Sequence, residues 1–508
     1  MSAKSNQFFT YILLLLVAIG AIFFVTRHLM DINNLMIHPH NLTEHMERLV
    51  TGTGFSLNDF ITPFQEYDHR ARFLTYFVLI LDFHTRLFLY NYFPILPTLS
   101  ITWIFTVLIG PCLLFLVCRN LKMPAYVSFS AVLVYITSTG VLSGLFMFFM
   151  PGKPLTNVVF LAILECLTRS DLHHINMKKN YGRLYLWCLI LIGCFLDELF
   201  FVAVAVIPII FIAIQSTFTK VSSGLILSLR ESIKMVMPPT IIFFLLILFV
   251  VPSITQYFYG YSLDYIGALK NTVKLGDPLP DYQFGLSNII TLFYTLLGVS
   301  LVPYQISEFV VIEGSGVKTA QLATVMGFCL LSLWLVLIIF DLKLKNVQDR
   351  FRLVCFFLTL LLSILLIGGI QGRHVPIVTG YYYGCIFPVF FTLLFASIAK
   401  PITDSISGLR PIFIVLLAGV ITSVQINNFF EINRSFVTYH NVNRGFPNVN
   451  FNDIYMQPFT WLELNDIHSA WKSGLLNEYL SQHHISNGAW YLLKELKYID
   501  QLNNNLNI

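Results

Sequence analysis

The chain has 508 residues, of which 56% are hydrophobic and only 11% are charged. A soluble domain carries about 25% charged residues because its surface must be solvated, so this composition excludes a water-soluble globule of this size. The net charge of +4 is too small and too dispersed for a nucleic-acid-binding protein. We therefore predict an all-α integral membrane protein, a polytopic bundle of transmembrane helices.

The predicted spans are apolar runs of roughly 20 residues. The first, residues 8–26, is expected to be a retained span rather than a cleaved signal peptide. The later runs are residues 96–117, 126–150, 155–167, 184–214, 235–252, 289–304, 319–340, 353–370, 383–397 and 411–430. We expect about ten or eleven spans in total.

Two of these runs are ambiguous. Residues 184–214 are too long for one comfortable span and contain Asp197-Glu198, which favours two short helices with the acidic pair at their turn. Residues 289–304 are then re-entrant or interfacial, because counting them as a full span moves the basic loop at 341–352 to the wrong side. The alternative is a single long span at 184–214.

Sidedness follows from loops rich in Lys and Arg, which collect in the cytoplasm. These loops are residues 119–122, 169–183, 220–234, 341–352 and 400–410. They predict a cytoplasmic N-terminus, an external first loop at 27–95, an external turn at 151–154, a wet external loop at 253–287 and an external helical segment at 431–508, appended to a bundle of residues 1–430. Short loops favour a bacterial inner membrane, with the endoplasmic reticulum as the alternative.

The eight cysteines all lie in or beside apolar runs, without the paired spacing of a zinc or redox site. We expect them to be small buried hydrophobic residues that form no external disulfides. They are Cys112, Cys118, Cys166, Cys188, Cys194, Cys329, Cys355 and Cys385.

Ionisable residues gather at the predicted external end in four clusters, and such residues between apolar helices usually mark a site. On the apolar run at 73–93, Asp82 and Arg86 are spaced to pair on one helix face, beside His84; this helix is expected at the external interface or inside the bundle. The other clusters are Asp59, Glu66, Asp68, His69, Arg70 and Arg72 in the first loop, then Asp197 with Glu198, then Arg373 with His374.

A first span, a long external loop with an Asp near a helix start, and many further spans with external charges resemble the GT-C superfamily of polytopic glycosyltransferases. The resemblance covers residues 8 to about 197 and is one of feature order. It implies transfer of a sugar from a polyprenyl-phosphate-linked donor to a glycan, lipid or protein acceptor at the outer leaflet. Glu66 and Asp68 are the nearest approach to the superfamily's paired acidic motif in the first loop.

Side-chain chemistry suggests roles for these residues. Asp68, or else Asp59, is the candidate general base on the acceptor hydroxyl, and Arg70, Arg72 and Arg373 suit the lipid phosphate. Asp197 and Glu198 could orient the acceptor or hold a divalent metal ion. Glu66, His69 and His374 complete the predicted substrate site.

Two other functions remain open at this point. One is a polymerase or ligase of lipid-linked glycans, which would also need external Arg and His beside a lipid phosphate. The other is a transporter or flippase, which should place ionisable residues near the membrane midplane on helices broken by Gly or Pro.

Overall fold

A computed structural model describes residues 101–138, 140–142, 152–169, 180–197, 200–218, 225–259, 347–371, 386–405, 410–442 and 459–460, with isolated positions at 16, 20, 36–37, 74–75, 77–78, 81–82 and 85. This part of the chain is almost entirely helical. In chain order its helices are α1 Ile101–Asn120, α2 Ala125–Ile136, α3 Gly152–Thr168, α4 Asn180–Leu196, α5 Phe200–Phe218, α6 at residues 225–259, α7 Val347–Gln371, α8 Phe387–Ser405 and α9 Arg410–Val442. Short π-helical segments interrupt α1 at Phe105–Ile109 and α6 at Leu246–Val250.

Within these ranges, two helices are long and apolar enough to cross a membrane: Ile101–Asn120, and Leu229–Ile254 within α6. The second is mostly uncovered by protein, since only 28% of its most apolar window is buried. Large apolar side chains such as Met237 and Phe249 are exposed along it, at 53% and 63%. A continuous apolar surface of this kind is unfavourable in water and is typical of contact with lipid or another protein.

Replacing Ile241 by Arg tests whether this face meets lipid, because Ile241 is 49% exposed and lies near the middle of the apolar segment. An Arg at the centre of a spanning helix costs about 2.5–3.5 kcal/mol on insertion-based scales, so Ile241→Arg should sharply lower the protein recovered in carbonate-washed membranes. Ile241→Leu is the matched control and should insert normally. Normal membrane recovery of Ile241→Arg would contradict lipid contact at this face.

Helices α4 and α6 run in the same direction. Arg183 lies 3.5 Å from Glu231 near their beginnings, and the rings of Phe195 and Phe243 lie 4.9 Å apart further along. About 18 Å of helix separates the two contacts on each helix. Phe201 at the beginning of α5 also contacts Phe243, at 5.2 Å. The chain therefore turns back after α4, and α5 begins at the level where α4 ends.

Helices α1 and α3 also run parallel to each other. The side-chain amide of Asn120, at the end of α1, donates a hydrogen bond to the hydroxyl of Thr168, at the end of α3, over 3.3 Å. Nearer the middle, a Cβ added to Gly110 would lie 3.6 Å from a methyl group of Val158. The beginnings of α1 and α3 therefore lie at the opposite end of the bundle from Asn120 and Thr168.

The end at which α1 and α3 finish is basic. Arg169 donates a 2.6 Å hydrogen bond to the Glu165 carboxylate, which raises the pKa of the guanidinium, and it also interacts electrostatically with Tyr185 of α4. Arg352 of α7 is 1% exposed and interacts electrostatically with Cys118 of α1. Residues from three predicted basic loops, at 119–122, 169–183 and 341–352, thus meet at one end of the bundle.

Helix α9 packs on α2 through a stripe that changes from apolar to polar. Ile414, Ala418 and Ile421 are buried, and Gln425 continues the same helical face. Oγ1 of Thr137 lies 2.8 Å from Oε1 of Gln425 and 2.9 Å from the carbonyl of Leu133. The Thr137 hydroxyl has one proton and can donate it to only one of these two oxygens. With the Gln425 amide rotated, its NH₂ donates to the Thr137 hydroxyl, and the hydroxyl donates to the Leu133 carbonyl. A polar contact of this kind holds membrane helices together by about 0.6 kcal/mol.

One predicted feature of the bundle is confirmed directly. Helix α4 ends at Leu196 and α5 begins at Phe200, so the apolar run at 184–214 is two helices broken at Asp197 and not one long span.

Several predicted helix boundaries are wrong. The predicted loop at 220–234 is helical from Leu225, and α6 continues to Tyr259, into the predicted loop at 253–287. The predicted loop at 341–352 is helical from Val347, and the one at 400–410 is helical to Ser405. Hydropathy marks where a chain leaves an apolar environment, whereas backbone hydrogen bonds carry a helix on into polar surroundings.

Two further boundaries differ from the prediction. The run at 126–150 was expected as one span, but α2 ends at Ile136, where Thr137 and Ser138 bond back to the carbonyls of Leu133 and Tyr135. Such local side-chain bonds compete with helix continuation. At the other end of the chain, α9 runs on to Val442, into the segment expected to be a separate appendage from residue 431.

A short β-pair joins the first loop to the C-terminal segment. Met36–Ile37 and Phe459–Thr460 pair antiparallel, with Met36 opposite Thr460. The two segments were both predicted to be external, and their pairing places them on the same side. The predicted spans at 289–304 and 319–340 lie outside the described residues, and the first span is described only at Leu16 and Gly20, both helical.

The cysteines within the described ranges are free. Cys118, Cys166, Cys194 and Cys355 are buried, as expected for small hydrophobic residues. Cys188 differs, because it is exposed on α4. Cys329 and Cys385 lie outside the described part of the chain.

Candidate functional site

Asp197 is the predicted site residue that falls within the described part of the chain. It follows α4 directly and is 1% exposed. Its N–H donates to the carbonyl of Gly193 over 3.2 Å, and its own carbonyl accepts the N–H of Phe200 over 3.0 Å. The carboxylate therefore sits just before the first turn of α5, where the helix dipole stabilises a negative charge.

The other predicted site residues lie outside the described residues. They are Asp59, Glu66, Asp68, His69, Arg70, Arg72, Glu198, Arg373 and His374. His84 and Arg86, expected beside Asp82, lie outside as well.

The turn at Asp197 is held against the beginning of α3. The hydroxyl of Thr75 donates to the carbonyl of Leu196, and Gly152 lies against both groups. A Cβ added to Gly152 would meet the Thr75 hydroxyl and lie 2.6 Å from the Leu196 oxygen. Only glycine permits backbones to approach this closely.

This approach brings the backbones of two buried ionisable residues into one region. Lys153 follows Gly152 and is only 2% exposed, and Asp197 follows Leu196 and is 1% exposed. Because consecutive Cα atoms are about 3.8 Å apart, the contact of Gly152 with Leu196 places the two charged residues in one small region. Buried ionisable groups that share a region are a frequent property of functional sites.

Asp82 has a structural role at the same end of the bundle. It is 4% exposed, and its Oδ1 accepts the backbone N–H of Thr102 over 2.9 Å. Thr102 lies in the first turn of α1, whose leading N–H groups have no partner within the helix. Asp82 thus caps α1, and its own side chain lies in the interior of the protein.

Asn157 is a polar residue of this region that the sequence analysis missed. It is 0% exposed, and neither atom of its side-chain amide has a hydrogen-bond partner among the described residues. It lies four residues after Lys153, so the two share a helix face. The signal was available, since Lys153, Thr156 and Asn157 are polar residues at helical spacing, but Pro151–Pro154 was interpreted as an external loop.

An aromatic cluster lies next to Asn157 along the same face of α3. The ring of Phe160 makes edge-to-face contacts with Phe200 at 6.5 Å and with Phe390 of α8 at 5.2 Å. Phe200 begins α5 just after Asp197. Along α3, Lys153 therefore lies at the level of Asp197, Asn157 follows about one turn later, and Phe160 of the aromatic cluster comes after Asn157.

The position of this region along the helices can be measured against α6. Phe195 and Phe201, on either side of Asp197, both contact Phe243, which lies near the middle of the apolar segment Leu229–Ile254. About 16 Å of helix continues from Phe243 to Ile254. Asp197 therefore lies level with the middle of α6.

Metal binding at this site rests on residues beyond those described. No group of three His, Cys, Asp or Glu side chains that could hold a metal ion occurs within the described ranges. Glu198, the second carboxylate expected at this position, lies outside them.

Comparison with known proteins adds no assignment. No protein-family model matches the chain, and no curated protein matches it.

Proposed function

We propose that this chain is a polytopic membrane glycosyltransferase of the GT-C type, with ten or eleven spans. It moves a sugar from a polyprenyl-phosphate-linked donor to an acceptor at the outer leaflet. The observation that carries the proposal is that Asp197 and Lys153 are both buried, and the contact of Gly152 with Leu196 brings their backbones into one region. Two buried ionisable residues in one region are costly to maintain without a function.

The chemistry uses a carboxylate and cations. Asp68, or else Asp59, takes the proton of the acceptor hydroxyl as its oxygen bonds to the sugar C1. The bond from C1 to the phosphate oxygen breaks, and the electron pair leaves with the polyprenyl phosphate. Arg70, Arg72 and Arg373 stabilise that phosphate, with Glu66, His69 and His374 beside the substrate. Asp197 and Glu198 orient the acceptor hydroxyl.

The proposed setting is a bacterial inner membrane, with a cytoplasmic N-terminus and an external C-terminus. The basic end of the bundle, at Arg119, Arg169 and Arg352, then faces the cytoplasm. Asp197 lies about 20 Å of helix from Arg183, and in this proposed setting it lies within the apolar layer, towards the side opposite the basic end.

One observation favours a second candidate function, a transporter or flippase of lipid-linked or small solutes. Transporters hold ionisable residues near the midplane, at the ends of broken helices. Asp197 lies at such a break, at mid-length of α6. The two functions differ in whether a covalent bond is made.

Reconstitution separates the two functions. The full chain is placed in liposomes with radiolabelled decaprenyl-phosphate-linked hexoses and a membrane extract as the source of acceptors. Label that becomes covalently attached to an acceptor supports the glycosyltransferase. Label that crosses the bilayer without transfer supports the flippase, and a result identical to empty liposomes contradicts both.

A further inference from the structure

The buried amide of Asn157 is the unusual feature of the region around Asp197. Its NH₂ and its carbonyl oxygen are both enclosed, at 0% exposure, without a hydrogen-bond partner among the described residues. Leaving a buried polar group unpaired costs about 1–3 kcal/mol, and leucine at this position would avoid that cost. A buried polar residue in this position needs a hydrogen-bond partner from outside the described residues.

The chemistry of the amide defines the missing partner. Asn offers two donors and one acceptor oxygen within one planar group, so its complement must accept and donate at neighbouring positions. Two adjacent hydroxyl groups of a sugar ring meet this requirement, since each can act in both ways. A phosphate alone does not, because when ionised it offers acceptors only.

The surroundings of Asn157 fit a sugar as well. Phe160, Phe200 and Phe390 form an aromatic cluster on one side, which suits the apolar face of a sugar ring. Side chains on a helix lean towards its N-terminus, so the amide lies over the turn that contains Lys153 and towards Asp197. Apolar walls with a few well-placed polar groups are typical of small-molecule sites.

We propose that Asn157 is a sugar-recognition residue, which binds adjacent ring hydroxyls of a glycosylated amphiphile between the level of Asp197 and the aromatic cluster of Phe160, Phe200 and Phe390. This rests on the proposed function for its ligand class and names a residue that selects the sugar. Asn157, Phe160 and Phe200 are fully buried, so the ligand enters by displacing the beginning of α3 from α5 and α8. The sugar belongs to either the donor or the acceptor.

The test compares ligand binding with stability in the full chain, reconstituted in lipid nanodiscs. The probe is octyl β-D-glucoside, and octyl triethylene glycol ether is the sugar-free amphiphile. The wild-type protein should bind the glucoside and not the ether. Asn157→Leu should weaken glucoside binding about tenfold or more, because the sugar hydroxyls lose their partner. The melting temperature of the unliganded variant should stay equal or rise, because the unpaired amide is gone.

Two further variants complete the design. Ser130→Ala removes another buried hydroxyl that lacks a partner among the described residues, but on α2, and should leave glucoside binding unchanged. Asn157→Ala removes the amide and leaves a smaller side chain, so it should also bind the glucoside less well than wild type. It provides a second variant if Asn157→Leu does not express.

Three results would overturn the proposal: no binding of the glucoside to wild type, equal binding by Asn157→Leu and wild type, or a lower melting temperature of Asn157→Leu with normal binding. Competition with farnesyl phosphate, which resembles the donor's leaving group without its sugar, separates the two sources. Displacement of the glucoside assigns the site to the donor, and simultaneous binding assigns it to the acceptor. If Asn157→Leu loses glucoside binding and the wild-type protein shows no glycosyl transfer, the sugar site is supported and the glycosyltransferase is rejected.

Discussion

Replacing Asp197 by Asn is expected to lower the rate of glycosyl transfer by about 10²-fold, the order of the loss when a reacting group is no longer correctly positioned. The carboxylate is 1% exposed, so bulk water cannot substitute for it. Asn has nearly the same shape, and the hydrogen bonds that form the turn, to Gly193 and from Phe200, use the backbone of residue 197. The turn should therefore persist while the charge is lost.

The measurement is initial transfer rate in proteoliposomes, normalised to the amount of folded protein. Asp82→Asn is the matched control, because the amide oxygen of Asn can still accept the N–H of Thr102 and α1 keeps its cap. It should retain transfer within a few-fold of wild type. Equal losses in Asp82→Asn and Asp197→Asn would mean that a general charge requirement, and not a role in the reaction, explains the effect.

Asp68→Asn separates the base from the orienting group. If Asp68 takes the proton, its loss should also remove transfer, and full activity in that variant would exclude it as the base. Under the flippase alternative, Asp197→Asn should slow movement of the lipid-linked sugar across the bilayer, and wild type would show no covalent transfer.

Replacing Gly152 by Ala is expected to destabilise the protein by about 1–3 kcal/mol, the usual cost of overpacking. The new methyl group would collide with the Thr75 hydroxyl and approach within 2.6 Å of the Leu196 carbonyl oxygen. A hydroxyl can rotate away, but Leu196 presents a backbone atom at the end of a helix. The beginning of α3 would have to move away from the turn at Asp197.

Gly419→Ala is the control for this substitution. Gly419 lies inside α9 with nothing within 4 Å of an added Cβ, and alanine is a better helix former by about 1 kcal/mol. Unfolding in mixed detergent and dodecyl sulfate micelles should therefore show a loss for Gly152→Ala and no loss, or a gain, for Gly419→Ala. Equal stability of both variants would contradict the close approach.

Gly152→Ala also tests the region around Asp197. If the approach of Gly152 holds Lys153 near Asp197, Gly152→Ala should lower transfer more than its effect on folding explains. Thr75→Ala in the same chain should restore part of the stability, because one of the two obstructing groups is removed while the Leu196 carbonyl remains. Full restoration of stability would show that the Thr75 hydroxyl alone obstructs the added methyl group.

Local chemistry accounts for the features that were predictable. The helix at Ile101–Asn120 follows from an uninterrupted apolar run that ends at Arg119. The break at Asp197 follows from two adjacent acids in a run too long for one span. In both cases neighbouring residues carry the information, because a helix within an apolar layer must satisfy its own backbone.

Features that depend on distant parts of the chain were not predictable. Arg352 was expected in a loop, yet it is buried at the start of α7 near Cys118. Lys153 was expected in an external turn, yet it is buried where Gly152 meets Leu196, in the same region as Asp197. Neither environment follows from neighbouring residues, since each partner is tens or hundreds of positions away.

The amino-acid sequence by itself determined that most of this chain avoids water, where its apolar runs lie, and that Asp197 breaks one of them. Only the tertiary structure decided that Asp197 lies level with the middle of α6, because that position depends on how α4 and α5 pack against α6. It also decided that Asn157 has no partner among the described residues. Burial and pairing are set by which helices pack together, and that information is not local in the sequence.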